Sequence, residues 1–297
     1  MTDQNPRLGI AMMVAVTFIF AAQDGISRHL AGAYNVYFVV MVRYWAFALF
    51  VLGMAARSPG GLRRAIRSRH PWLQAGRGIL LVLEIYVAII AFVKLGLVES
   101  HSVFISYPLI VAALSGPVLG EKVGWRRWTA IGIGFVGVLI ILQPGSGVFR
   151  PEALYPLAGA VMFAIYALAT RWVARDDTSE VSFFWTGIAG AITATLGGIW
   201  FWQSMSAGDW GWMGLLCLTA IAGHWLMIKA YEIAEASALQ PIAYLQLVFG
   251  AIFGITIFGD VLRPNVALGA AITVGAGLFT IWRARRQMLA ERARRKA

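Results

Sequence analysis

The chain has 297 residues, 59% of them hydrophobic and only 13% charged, and it carries a formal net charge of +11. Soluble domains average roughly 45–50% apolar and 25% charged residues, so a water-soluble fold is excluded. A spanning helix takes roughly 20 apolar residues, and ten of them leave no room for a large extramembrane catalytic domain.

In chain order, apolar runs predict helices over Leu8–Leu30, Asn35–Ala56, Trp72–Val93, Ser100–Leu119, Trp128–Leu142, Ala153–Val173, Val181–Trp202, Trp210–Tyr231, Ser237–Phe258 and Pro264–Trp282. The runs are continuously apolar, whereas barrel strands alternate. The expected fold class is an all-α polytopic membrane protein of ten transmembrane helices. Ala31-Gly32-Ala33 resembles a signal-peptidase site, but Asp24 and Arg28 interrupt the preceding run and its start is weakly basic, so the run is read as a span. The one cysteine, Cys217, lies inside an apolar run and excludes an intrachain disulfide, a cysteine-based zinc site and a CxxC redox pair.

Basic residues set the direction. With a cytoplasmic amino terminus, the inner connections and tail hold 19 Lys and Arg, against Arg28, Lys94, Arg150 and Arg263 outside. This bias places both termini in the cytoplasm of a bacterial-type cell, with the chain in its inner membrane. The lipid bilayer thus accounts for the net charge, and nucleic acid is not expected as a partner. The tail from Arg283 to Lys296 has no interleaved aromatic residue and reads as a solvated helix extension.

The chain also repeats. At an offset of 139, Ala91-Phe92 falls on Ala230-Tyr231, Val103 on Ile242, Ala112 on Ala251, and Gly120-Glu121 on Gly259-Asp260. At an offset of 143, Phe20-Ala21 and Ser27-Arg28 fall on Phe163-Ala164 and Thr170-Arg171. Residues 1–145 and 146–283 are the expected halves, with 284–297 as a basic cytoplasmic tail. Five spans per half is an odd number, so the repeats are inverted, an arrangement that suits alternating access.

The stretch Leu119-Gly120-Glu121-Lys122-Val123-Gly124-Trp125-Arg126-Arg127-Trp128, followed by Gly132, Gly134, Gly137 and Gln143-Pro144-Gly145, resembles the first-half signature of EamA-type carriers of the drug/metabolite transporter superfamily. Phe20-Ala21-Ala22-Gln23-Asp24, Arg43-Tyr44 and Pro108 extend the resemblance over essentially the whole chain. Leu247 at the position matching Pro108, and Asp260 in place of the usual glutamate, depart from the pattern. The resemblance implies transport of small metabolites, with YddG-type exporters of aromatic and neutral amino acids as the nearest group.

Ionisable residues inside a span are functional candidates by default. Glu84 lies about 18 Å into its helix at 1.5 Å per residue, near the midplane. It is read as a proton-coupling group or partner of a substrate ammonium, or else as a structural pair with Arg43 or Arg77. Asp24 stands one turn from Arg28, where an i,i+4 bridge facing water accounts for it. Arg43 either holds a carboxylate through its planar fork, snorkels, or pairs with Asp24. Ser237, Gln240 and Tyr244 form a polar face on the ninth span, and His101 of the fourth corresponds to Gln240. These two residues are expected near the inner and outer mouths, Gln240 inside and His101 outside, or as interhelical hydrogen-bonding groups.

Tyr86, Tyr107, Tyr166, Trp225 and Tyr244 offer flat faces and polar tips to a solute, or pack. His224 joins the candidates as a histidine inside an apolar run. No HxxxH, HExxH, GxxxxGK[ST] or GxSxG pattern occurs, so no metal, cofactor or ATP is expected. Pro108 is expected to bend the fourth helix by leaving the Phe104 carbonyl without its amide, and Pro241 to start the ninth.

The chain is thus read as a non-enzymatic secondary carrier, most simply an amino-acid exporter, that is a monomer or weak homo-oligomer. An intramembrane enzyme acting on a lipid-linked substrate, and a passive channel or scramblase, are the rival readings.

Overall fold

A computed structural model describes residues 6–120, 124–143, 151–233, 239 and 242–296, and every regular element among them is helical. The first span is α1 (Pro6–Ala33), and the second is α2 (Val36–Arg57), capped by Asn35, whose side chain accepts from the Tyr37 amide at 2.9 Å. A short helix not expected from the sequence, α3 (Gly61–Ile66), lies in the following connection. The third span is α4 (Pro71–Leu95), started by a proline at its first turn and stopped by Gly96.

The fourth span is divided into α5 (Leu97–Phe104) and α6 (Tyr107–Leu119). The proline therefore does not kink a continuous helix. Pro108 sits in the first turn of α6, where its missing amide costs nothing, and the chain breaks at Ile105 and Ser106 just before it. The remaining helices are α7 (Trp125–Leu142), α8 (Leu154–Val173), α9 (Ser179–Gly198), α10 (Ala207–Ile233), α11 (Leu245–Phe258) and α12 (Pro264–Lys296).

Nine helical segments among the described residues are long and apolar enough to span a bilayer, and α11 is a shorter apolar helix of 14 residues. The ninth span had been expected as one helix from Ser237. A turn at Tyr244 instead separates α11 from the helical Ile242 and Ala243. Tyr244 is Ile105 moved by the repeat offset of 139, so both halves break their fourth span at the same place without sharing the proline. Gly120 and Gly259, also related by that offset, end α6 and α11 in the same left-handed conformation, with φ of 74° and 69°.

The packing obeys the inverted exchange. Numbering the spans one to ten, α4 on α8 is three on six, and α1 on α10 is its mirror, one on eight. Likewise α1 on α11 mirrors α8 on α5 and α6, while α2 on α9 and α7 on α12 pair each span with its own repeat mate. Close approach in the last pair needs glycine: a Cβ on Gly137 would stand 2.6 Å from the Gly269 carbonyl oxygen and 2.6 Å from Thr273 Oγ1. The Thr273 hydroxyl lies 2.9 Å from that carbonyl and 3.2 Å from the Gly134 carbonyl, tying the helices together. The basic tail continues α12 without a break as far as Lys296.

Candidate functional site

Two buried ionisable side chains, Arg43 and Glu84, meet the part-buried Asp24 where α1, α2 and α4 converge. Arg43 is 6% and Glu84 5% exposed. Asp24 and Glu84 each lie within reach of the Arg43 charge and of one another's, yet no ion pair joins any two of them. The structural pairs expected from the sequence are therefore not formed. Arg43 neither snorkels nor bridges Asp24, and Glu84 pairs with neither arginine.

Arg77 is occupied elsewhere. It donates to Gln74 Oε1 at 2.8 Å, Thr170 Oγ1 at 2.8 Å, the Ser182 carbonyl at 2.9 Å and Thr186 Oγ1 at 3.0 Å, and its guanidinium lies 5.2 Å from the centre of the Tyr166 ring. Buried among neutral acceptors, it ties α4 to α8 and α9.

Asp24 does not pair with Arg28 either, because Arg28 is held by the Asp260 carboxylate instead. Gln246, which opens the first turn of α11, donates to Asp24 Oδ2 at 3.0 Å, and His101 Nε2 stands 3.4 Å from the same oxygen without hydrogen-bond alignment. The first half's carboxylate is thus held by the second half's amide. His101 is 4% exposed, with its ring 5.2 Å from Phe92. Gly250 leaves it room, since a Cβ there would meet its Cδ2 at 2.5 Å.

His224 of α10 faces the same region. Its Nδ1 donates to the Ala220 carbonyl at 2.8 Å, which leaves Nε2 as the acceptor of the neutral ring. Arg43, Tyr44, Thr186 and His224 line a cavity of about 10 Å³, space for about one water molecule. That volume is too small for an organic solute.

Aromatic candidates divide. Tyr107 and Tyr166 flank Phe163, with ring centres 4.8 and 5.8 Å from it, and Phe104 completes the group at 5.6 Å. This wall adjoins Glu84: a Cβ on Gly159 would lie 3.7 Å from Phe104 and 3.8 Å from Glu84 Oε1. Tyr86 packs away from it, edge-on to Tyr37 at 4.7 Å. Trp225 is 44% exposed on the surface of α10. Tyr244 is buried, its hydroxyl unpartnered, at the break before α11. Gln240 and Pro241 lie outside the described residues.

One end of the bundle is closed by Asp260. Its carboxylate accepts from Arg28 Nη1 at 2.8 and 3.0 Å, and from the Leu97 and Val98 amides at 2.7 and 3.3 Å, so it caps α5 as an anion at a helix N-terminus. Two glycines make the seat: a Cβ on Gly96 (φ 86°) or on Gly254 would come within 2.5 and 2.7 Å of this carboxylate. Arg28 stacks on Phe258 at 4.3 Å, and Arg263 pairs with Glu99 at 2.5 Å nearby.

The opposite end is held by Asp176 and Asp177 in the connection between α8 and α9. The His70 hydrogen bond, assisted by Arg69, keeps the Asp176 carboxyl below the usual carboxylate range. Partial burial raises Asp177, but hydrogen bonds from Ser68, the Arg69 amide and Gln74 outweigh it and hold this carboxyl low as well.

Sequence reasoning missed Gln246 and the Asp260 seat. Gln246 carried a signal as a lone amide within an apolar run.

Residues 7–143 and 150–282 each match the model described as the EamA-like transporter family. The S-adenosylmethionine uptake transporter of Rickettsia prowazekii (strain Madrid E) is 25% identical, over 94% of this chain and 94% of its own. The riboflavin transporter of Vibrio cholerae serotype O1 (strain ATCC 39315 / El Tor Inaba N16961) is 27% identical at the same coverage of both. A solved crystal structure shares the fold with a TM-score of 0.62 at 19% identity, covering 94% of this chain and 97% of that one. Neither relative is named as an exporter of amino acids, so the finer substrate implied by the sequence resemblance gains no support from them.

Proposed function

The chain belongs to the EamA-like transporter family, and from that premise we propose that it is a secondary carrier of small solutes bearing an α-amino-carboxylate head group. The observation that carries this reading is the unbridged trio of buried Arg43, buried Glu84 and part-buried Asp24. A buried cation flanked by two carboxylates that do not bridge to it is a receptor for both signs of a zwitterion. The Arg43 fork matches a carboxylate, and Glu84 or Asp24 takes the ammonium. The aromatic wall of Phe104, Tyr107, Phe163 and Tyr166 next to Glu84 suits a flat or cationic remainder. S-adenosylmethionine, named for the Rickettsia relative, has this head group, and so do the aromatic and neutral amino acids.

Access alternates between the two halves. The basic-residue asymmetry puts both termini in the cytoplasm of an inner membrane, so the Asp260 seat closes the outer mouth. Residues 1–145 and 146–283 supply the two sides, and no catalytic step is involved.

The test is competition in proteoliposomes loaded with unlabelled solute. Labelled S-adenosylmethionine should be trapped faster when solute is inside. Methionine and neutral amino acids should compete, whereas their methyl esters, N-acetyl forms and riboflavin should not. Comparing the two vesicle orientations assigns direction. Competition by riboflavin that Arg43→Gln leaves intact would overturn the zwitterion reading, and the absence of countertransport would favour a channel or scramblase.

A further inference from the structure

Residues 58–70 join a span that ends at Arg57 to one that begins at Pro71, so they lie along one membrane–water boundary. Within them α3 has no buried residue. Leu62 and Ile66, one turn apart, are 42% and 52% exposed, and Trp72 just beyond is 89% exposed. Arg63 and Arg67, also one turn apart, form the adjoining stripe, with Arg57, Arg64 and Arg69 exposed around them. No acidic residue occurs from position 25 to position 83.

The nearest acids belong to the connection after α8 and to the start of α9. Asp176 holds Arg69 and His70, and Asp177 is taken by Ser68, the Arg69 amide and Gln74. Glu180 and Arg64 line one shallow recess without pairing. Among the described residues, no carboxylate pairs with Arg57, Arg63, Arg64 or Arg67.

A positive-inside bias asks only for basic residues on one side. It does not ask for a short helix at the boundary with an apolar stripe beside an arginine stripe, and that combination is the form of an interfacial lipid-binding element. The element is also fixed in place. Trp185 Nε1 donates to the Ile66 carbonyl at 3.2 Å, and Ser68 and Arg69 are clamped on Asp177. Ordering it for a ligand therefore costs little.

We propose that α3 and its flanking arginines form a docking surface for the phosphate head groups of anionic phospholipids, with Leu62, Ile66 and Trp72 set among the acyl chains. The surface is linked to the core: Asp177 accepts from Gln74 Nε2 at 2.9 Å, and Gln74 Oε1 accepts from Arg77 at 2.8 Å. A bound head group therefore steadies the start of α4, on the helix that carries Glu84.

The experiment is native mass spectrometry of the full chain in detergent with added phosphatidylglycerol or phosphatidylcholine. Each arginine near an anionic surface contributes about fivefold, so Arg63→Gln with Arg64→Gln and Arg67→Gln should weaken phosphatidylglycerol retention at least tenfold and leave phosphatidylcholine retention unchanged. Leu62→Ser with Ile66→Ser should weaken phosphatidylglycerol retention while keeping every charge. The control Arg292→Gln with Arg294→Gln and Arg295→Gln in the tail should retain it. Thermal unfolding of each variant confirms folding. Equal retention by the folded triple variant overturns the proposal, as does equal loss in the tail control. Displacement of the lipid by millimolar inorganic phosphate would reassign the surface to free anions and overturn it too.

Discussion

Replacing Asp260 by asparagine isolates what closes the mouth proposed to face outward. The substitution keeps size and shape, so Gly96 and Gly254 still accommodate the side chain. It removes the charge that receives two Arg28 hydrogen bonds and caps the Leu97 and Val98 amides. Hydrogen bonds to charged groups contribute about 1.5–3 kcal/mol each, and an anion at a helix N-terminus about 0.3–1 kcal/mol. Asparagine retains part of each, so a loss of about 3 kcal/mol is reasonable. At 1.4 kcal/mol per tenfold, the closed-to-open ratio at this mouth shifts by roughly a hundredfold. Arg28 and its stacking partner Phe258 should separate.

The assay is pulsed spin-label distance measurement between Gly32→Cys and Val261→Cys, both exposed beside the seat, in a Cys217→Ser background. The unsubstituted chain should give one short distance, and Asp260→Asn a second, longer population of at least comparable weight. Gly96→Ala should do the same, because its Cβ would land 2.5 Å from an Asp260 oxygen. An unchanged distribution in a folded, transporting Asp260→Asn protein would refute the argument. The seat would then be a helix cap and nothing more.

Four further outcomes follow. Arg43→Lys keeps the charge but loses the planar fork, so KM for zwitterionic solutes should rise about tenfold or more with stability unchanged, as read by uptake and thermal unfolding. Glu84→Gln should raise KM for zwitterionic solutes and flatten the pH dependence of uptake into vesicles; unchanged KM and pH dependence in a folded protein would assign Glu84 to structure. Gly137→Val should lower thermal stability by about 2 kcal/mol or more through overpacking against Gly269 and Thr273. Asp176 and Asp177 have depressed folded pKa values, so their contribution is complete above the ordinary carboxylate value of about 3.9 and is lost as pH falls through the lower folded value. Protease resistance of the α3 connection should therefore persist at pH 5 and fail only in stronger acid, and Asp177→Asn should weaken it at neutral pH.

How much of this was legible follows from what the bilayer demands. Water is absent from its core, so backbone groups must bond internally and the spans must be long and apolar. Both requirements are local, and they made the apolar runs and the helical repeat readable. The break at Ile105 and Tyr244 was readable only in part. Pro108 pointed to the first, but at the second the matching position is Leu247, so no residue type there marks the turn.

Partner choice was the part that local reasoning could not reach. Asp24 and Arg28 stand one turn apart, and an exposed i,i+4 pair contributes about 0.3–0.5 kcal/mol. That is too little to hold either residue against a better partner elsewhere. Arg28 finds a bidentate carboxylate 232 positions away, already seated on a helix N-terminus, and Asp24 finds an amide 222 positions away on the facing half. Both partners lie on or just beyond α11, and their spacing from α1 is set by the pseudo-twofold packing rather than by any local pattern. In a carrier built from two halves, contacts that cross between the halves are the ones that conformational exchange can make and break. The residues whose partners were hardest to read from the sequence are therefore the ones on which the proposed alternating access turns, and Asp260, Arg28, Asp24 and Gln246 are the four to mutate first.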